Sequence, residues 1–233
     1  MKPVAIKLNE KLFLRDPQET KLGRKIISHG IEEIDHLGFE KFTFKKLSTA
    51  IGSTEASIYR YFENKHKFLL YLISWYWESI RCQIIDRIQG VDAPAQKLRL
   101  SIQMITEASQ LNTEIDFVNE QILHRIVVSE AIKAYHSKEV DAENREGLFA
   151  NYKSLVRLIS EIIREIEPQF PYPHTLAASV IEMANENIYY AEHLPSLTDL
   201  KIKEGSLHDI QKMLEFFAFK MLNLDHLLDE KNL

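Results

Sequence analysis

The side chains best spaced to do chemistry lie between Thr43 and Phe62. The run reads Thr43-Phe44-Lys45-Lys46-Leu47-Ser48-Thr49-Ala50-Ile51-Gly52-Ser53-Thr54-Glu55-Ala56-Ser57-Ile58-Tyr59-Arg60-Tyr61-Phe62. Thr43 and Thr54 are N-cap residue types, and each precedes a short helix, about 44–50 and 55–61, with Gly52 at the turn between them. Leu47 and Ile51 share one face of the first helix, Ile58 and Phe62 share one face of the second, and Ser48 is small where the two must cross. Helices this short do not persist alone in water, so packing has to hold their crossing angle. Such a unit is a helix-turn-helix, which lays its second helix in a DNA major groove.

Glu55, Ala56, Ser57, Tyr59 and Arg60 then occupy the outer face of that second helix. Arginine pairs with guanine O6 and N7, and a glutamate accepts from the cytosine amino group. An acid in a first helical turn also simply favours the helix dipole, so Glu55 has two readings. Asn64 caps the next helix, which opens with Lys65, His66 and Lys67. Cations there oppose the dipole unless a phosphate sits at that end, so Lys65 reads as a phosphate ligand or as solvated surface. Thr43, Lys45, Lys46, Thr54, Tyr59 and Tyr61 complete the candidate DNA contacts.

Charge is distributed to match. Residues 20–70 carry nine basic and six acidic groups, while residues 71–233 carry 16 basic and 25 acidic ones, within a chain of net charge −5. A basic head on an acidic body confines phosphate attraction to one end.

The flanking sequence is helical throughout. Asp16, Pro17 and Glu19 form a helix start, followed by Leu22, Ile26, Ile27, Ile31, Ile34 and Leu37 at three- and four-residue spacing and a stop at Gly38. The third helix of the head is followed by a long one from Lys65 to about Gln89, then by helices near 94–110, 116–136, 141–167, 173–193 and 206–228, the last opened by a Ser206–Asp209 capping box. Residues 1–15 alternate weakly and read as an extended or disordered arm. No Asn-Gly or Asp-Gly dipeptide signals a hairpin. The expected fold is all-α, with an N-terminal three-helix helix-turn-helix domain over residues 16–64 and a helical ligand-binding and dimerisation domain over 65–233.

At this level of detail the head resembles the tetracycline-repressor-like (TetR/AcrR) regulators. Their motif ends in Gly-Val-Ser-x-x-x-Leu-Tyr-x-His-Phe and leads into a Lys-Glu-x-Leu helix start. Here it reads Gly52-Ser53-Thr54-Glu55-Ala56-Ser57-Ile58-Tyr59-Arg60-Tyr61-Phe62, then Asn64-Lys65-His66-Lys67-Phe68-Leu69. Ser53, Glu55 and Tyr61 depart from the pattern at positions that face or support the groove. The resemblance covers about residues 20–70. It implies a homodimer on a palindromic operator, and repression relieved by a small molecule.

The body supplies candidates for both remaining roles. Residues 206–228 hold more apolar surface than one stripe needs, and residues 173–193 contain small residues that permit close helix approach. Ala177, Ala184, Ile210, Leu214, Phe217 and Met221 are the candidate dimer residues, in a four-helix bundle across a two-fold axis or in an internal core. Trp75, Trp77, Met104, Phe117, Phe149, Tyr152, Tyr189, Tyr190 and His193 are the candidates for a pocket that takes a small apolar effector, or for plain core.

Other classes are poorly supported. No two glycines lie closer than seven residues, which removes the glycine-rich phosphate loops. His-Glu-x-x-His, Cys-x-x-Cys and Gly-x-Ser-x-Gly are absent, and no two histidines are four apart. We therefore expect no catalytic site, no metal site and no cofactor. The longest apolar stretch, Phe68–Trp77, is too short for a bilayer span. A single cysteine, Cys82, precludes an intrachain disulfide, and no signal-peptide core opens the chain, so a cytoplasmic location without membrane partners is expected. The alternatives left standing are an architectural DNA-binding protein of the same fold and a helical enzyme without a recognisable motif.

Overall fold

The computed structural model describes residues 6–108, 115–202 and 206–228. Among them the regular structure is helical: α1 (Lys21–Leu37), α2 (Phe44–Ala50), α3 (Glu55–Tyr59), α4 (Lys65–Ile88), α5 (Pro94–Glu107), α6 (Glu120–Tyr135), α7 (Val140–Arg145), α8 (Ala150–Ile166), α9 (Pro173–His193) and α10 (His208–Met221). The all-α expectation holds.

Packing divides the chain into two compact units, residues 1–79 with 109–153, and residues 80–108 with 154–233. The first unit is built on α1. Ile26, Ile27, Ile31 and Ile34 are fully buried and hold the helix-turn-helix on one side, while α6 packs against α1 as well. In the second unit α5, α9 and α10 pack on one another around Leu98, Ile102, Val180, Ile181, Leu214 and Phe219. Two ion pairs trim its surface, Lys97–Glu165 at 2.7 Å and Arg99–Glu215 at 3.1 Å.

Four expectations change. Pro17 does not open α1: Asp16 caps a single 3-10 turn, Pro17–Glu19, and Thr20 then caps α1 by accepting from Gly23 N at 2.9 Å. The helix expected over 141–167 is two helices, because Gly147 takes a left-handed φ of 78° between α7 and α8. The Ser206–Asp209 capping box does not form, since Leu207 holds the N-cap position without a side-chain bond. α10 ends at Met221, followed by Asn223 at a φ of 56°.

The described part of the N-terminal segment is packed rather than a free arm. Ile6, Leu8 and Leu12 are buried, Gln18 Nε2 donates to Ile6 O at 2.9 Å, and Leu14 N donates to Tyr61 O at 2.8 Å. Ile6, Leu8 and Leu12 therefore lie inward while Leu14 stays exposed, and the segment is tied to α8, where Asn151 Nδ2 donates to Lys7 O at 3.3 Å.

Candidate nucleic-acid interface

The helix-turn-helix is assembled as its sequence dictates. Leu47, Ile51, Ile58 and Phe62 are 0–3% exposed and form the contact between α2 and α3. Thr43 Oγ1 accepts from Lys46 N at 3.2 Å, and Thr54 Oγ1 accepts from Ser57 N at 3.3 Å, so both short helices carry side-chain caps. Gly52 turns the chain at a φ of 64°. Ser53 N then reaches Ser48 O at 2.9 Å, which closes the turn. Phe68 fills the space beneath, against Phe42, Phe44 and Phe62.

This packing leaves Thr54, Ala56, Tyr59 and Arg60 exposed and Glu55 half-buried on one side of α3. Tyr59 is held by an edge-on contact with Phe44 at 5.1 Å between centroids. Thr43, Lys45 and Lys46 are exposed at the start of α2, although Lys46 Nζ donates to Lys41 O at 2.8 Å. A row of hydrogen-bonding tips thus stands on a rigid support, which is what reading base edges requires.

Three candidate contacts turn inward instead. Ser57 is buried and its hydroxyl pairs with Thr54 Oγ1 at 2.8 Å. Tyr61 is 3% exposed; its hydroxyl pairs with Thr20 Oγ1 at 2.8 Å, and Arg15 lies over its ring. Lys65 directs its ammonium onto three carbonyls, Phe39 O and Glu40 O at 3.0 Å and Phe42 O at 3.4 Å. Those carbonyls follow the end of α1, where no helical partner is available, and a cation suits them. These residues support the interface and do not form its outer face.

One supporting residue escaped sequence reasoning. Lys25 of α1 donates from Nζ to Ile51 O at 2.7 Å, stapling the turn between α2 and α3. It follows no motif; the signal was the orphan carbonyl at the end of α2.

The pocket candidates fall in both units. In the first, Trp77 Nε1 donates to Tyr135 Oη at 2.8 Å, and Trp77, Tyr135, Tyr152 and Phe149 make one aromatic cluster. Trp75 is buried, and Phe117 lies under Arg24. In the second, Met104 is half-buried, while Tyr189 and His193 are exposed, with their rings 4.6 Å apart and Tyr190 beside them. Sequence reasoning passed over Tyr76 and His124, whose polar atoms meet at 2.6 Å in the interior of the first unit. Burial raises the Tyr76 hydroxyl far above the usual phenol range, with the Glu120 carboxyl adding to it. Burial, with Arg125 adding to it, lowers the His124 imidazole to about 4.

The dimer candidates also separate. Ala177, Ala184, Ile210 and Leu214 are at most 1% exposed within a single chain and belong to its own core, whereas Phe217 is 40% and Met221 56% exposed.

Comparison with known proteins agrees with this geometry. Residues 26–72 match the family model of the bacterial regulatory proteins of the tetR family. No curated protein matches the chain. Among solved structures, AibR in complex with isovaleryl coenzyme A and operator DNA is similar at a TM-score of 0.56 and 18% identity, covering 83% of this chain and 97% of that one. The fatty acid degradation regulator FadR from Bacillus halodurans gives 0.58 and 16%, covering 83% and 96%. The ketosteroid transcriptional regulator KstR2 of Mycobacterium tuberculosis gives 0.54 and 12%, covering 90% and 97%. No helix among the described residues is long and apolar enough to cross a membrane. The matched segment spans the helix-turn-helix, so residues 26–72 form a helix-turn-helix of the tetR regulatory-protein family, and the chain as a whole shares its helical fold with these regulators.

Proposed function

We propose that the chain is a homodimeric repressor that holds a palindromic operator and releases it when a small, largely apolar effector binds. Functionally, residues 16–64 are the DNA-binding domain and residues 65–233 the regulatory and dimerisation domain. The observation that carries the reading is the row along α3 and its caps, with Thr54, Ala56, Tyr59 and Arg60 exposed and Glu55 half-buried, standing on a capped and fully packed support. In this reading those residues meet base edges, and Thr43, Lys45 and Lys46 meet phosphates. The effector part is supported by a similar fold in AibR, whose structure is a complex with isovaleryl coenzyme A and operator DNA. The aromatic cluster around Trp77 gives the interior a lining of the apolar kind such molecules need.

The test is selection of bound sequences from random DNA, followed by mobility shifts with Arg60→Ala. The selected site should be a palindrome whose half-sites lie about one helical turn, or a multiple of it, apart. Arg60→Ala should lose discrimination at one base pair per half-site, worth about 1–3 kcal/mol there, with a folded protein. Unchanged discrimination at every position would move the reading face away from α3.

A further inference from the structure

We propose that Tyr76 and His124 form the polar end of a buried binding site in the first unit, which takes an uncharged small molecule through a carbonyl oxygen. Both residues are buried, at 3% exposure each, and Tyr76 Oη lies 2.6 Å from His124 Nδ1. Two tautomers are available. If Nδ1 carried the proton, it would donate to Tyr76 Oη, stranding the phenol hydrogen and leaving Nε2 without a donor. If Nε2 carries it, Tyr76 donates to Nδ1 and one group is left over, the Nε2–H. The second arrangement strands fewer groups and is the one we assign. His124 Nε2 has no hydrogen-bond partner, and neither has Trp75 Nε1 on α4. Native interiors pair nearly all such groups, so an unpaired buried donor calls for a ligand or a buried water.

Charge narrows the ligand class. Among the described residues the buried polar ones include four glutamates, Glu78, Glu120, Glu130 and Glu143, and no lysine or arginine. A carboxylate or phosphate at His124 would find no buried cation, and burial keeps the imidazole itself neutral near pH 7. A cationic ligand has no better case. The glutamates already accept from Asn151, Ser79, Phe39 N and His66, and a cation offers nothing to an N–H donor. What remains is a neutral acceptor: a ketone, ester, amide or thioester carbonyl.

The site also touches the head. Arg125, the residue after His124, pairs with Asp35 of α1 through two bonds at 2.8 and 3.0 Å, and Glu130 of the same helix accepts from Phe39 N at 3.1 Å. A ligand that shifts α6 therefore pulls on the segment leading into the helix-turn-helix. Only this last step rests on the regulator reading; binding itself does not.

The experiment is titration of the full-length protein with 2-heptanone, and with heptanoate as the charged control. It is followed by the imidazole Nε2–H resonance of His124 and by tryptophan fluorescence. The resonance should move saturably at roughly millimolar ketone, while heptanoate binds at least about tenfold more weakly. The double variant Tyr76→Phe/His124→Leu removes both polar groups without stranding a partner, so it should stay folded by circular dichroism and lose ketone binding by about tenfold or more. Three results would each overturn the proposal. One is a wild-type Nε2–H that ignores the ketone, which marks a site served by water alone. The second is heptanoate binding as tightly as the ketone, and the third is a folded double variant that binds as wild type. Mobility shifts on the selected DNA, run without ketone, test the regulator reading separately.

Discussion

Replacing Lys65 with methionine separates the two roles this residue could play. Its ammonium reaches Phe39 O, Glu40 O and Phe42 O at 3.0, 3.0 and 3.4 Å, and it stands 4.8 Å from the centre of the Phe39 ring. Methionine keeps most of the aliphatic stem and removes the charge. A hydrogen bond to a charged group contributes about 1.5–3 kcal/mol when buried. Lys65 is only half-buried, and the carbonyls it leaves are open enough to recruit water, so the sum must be discounted. We expect Lys65→Met to cost about 1–2 kcal/mol, measured as a lower urea midpoint at constant m-value. Specific DNA affinity should fall with it, because residues 38–42 lead directly into α2. The slope of log K against log salt should stay unchanged. Loss of a genuine phosphate contact would instead reduce that slope by about 0.9 for each subunit of the dimer and leave stability alone. That second outcome would refute the supporting role and restore Lys65 to the DNA surface.

Three further outcomes follow from the same reasoning. Phe217→Glu combined with Met221→Glu changes exposed residues, so each chain should keep its helicity while light scattering falls to the 27.2 kDa monomer mass; a dimer of unchanged affinity would place the interface elsewhere. Gly30→Ala gains about 1 kcal/mol in helix propensity. However, its Cβ would stand 2.3 Å from Cζ of the fully buried Phe68. Overpacking costs about 1–3 kcal/mol, so the variant should be less stable in urea, and a more stable one would contradict the packing. His124 titrates at about 4 in the folded chain against 6.5 as its ordinary value. The unfolded chain therefore binds the extra proton first, and this residue's contribution is present above pH 6.5 and lost as the pH falls toward 4. The loss amounts to at most about 3 kcal/mol. Tyr76→Phe/His124→Leu should lack that share of the acid sensitivity in denaturation curves taken between pH 7 and 4.5.

The head was legible because its signals are local. Two threonine caps, a glycine at the turn and four apolar positions all act within twenty residues, and each appears where the spacing puts it. Local signals fail where a distant segment decides the direction of a side chain. Tyr61 is drawn inward by Thr20 and by the backbone of Leu14, and nothing in residues 43–62 records that return of the chain. Lys65 is claimed by carbonyls more than twenty residues earlier. On α9 and α10 periodicity reveals that both faces are apolar without saying which one looks inward, so Ala177 and Ile210 carry the same sequence signal as Phe217. The break at Gly147 was visible as a glycine, but an apolar period running across it argued for one helix. His124 gave no signal at all: a single histidine in an apolar helix gains its meaning only from Tyr76, 48 positions earlier.

The division by packing bears on how a signal would travel. Residues 109–153 belong to the same compact unit as the helix-turn-helix, so α6 needs no interdomain surface to reach it. Among the described residues three polar contacts join α6 to the head, and they are not equal: an exposed Lys133–Glu40 pair at 3.5 Å contributes least. Arg125–Asp35 has good fork geometry, but its arginine is 56% exposed, and exposed pairs contribute about 1 kcal/mol or less. Phe39 N to Glu130 is buried, and losing a charged partner there would strand a backbone donor at a cost of about 1–3 kcal/mol. A coupling free energy of 1–3 kcal/mol, about 5- to 150-fold in affinity, is the usual size of an allosteric effect. The buried contact alone is large enough to carry it, and the exposed pairs are not. Control of DNA by a ligand on α6 therefore reduces to whether that ligand can move Glu130 relative to Phe39, at the residue where α1 hands the chain to the helix-turn-helix.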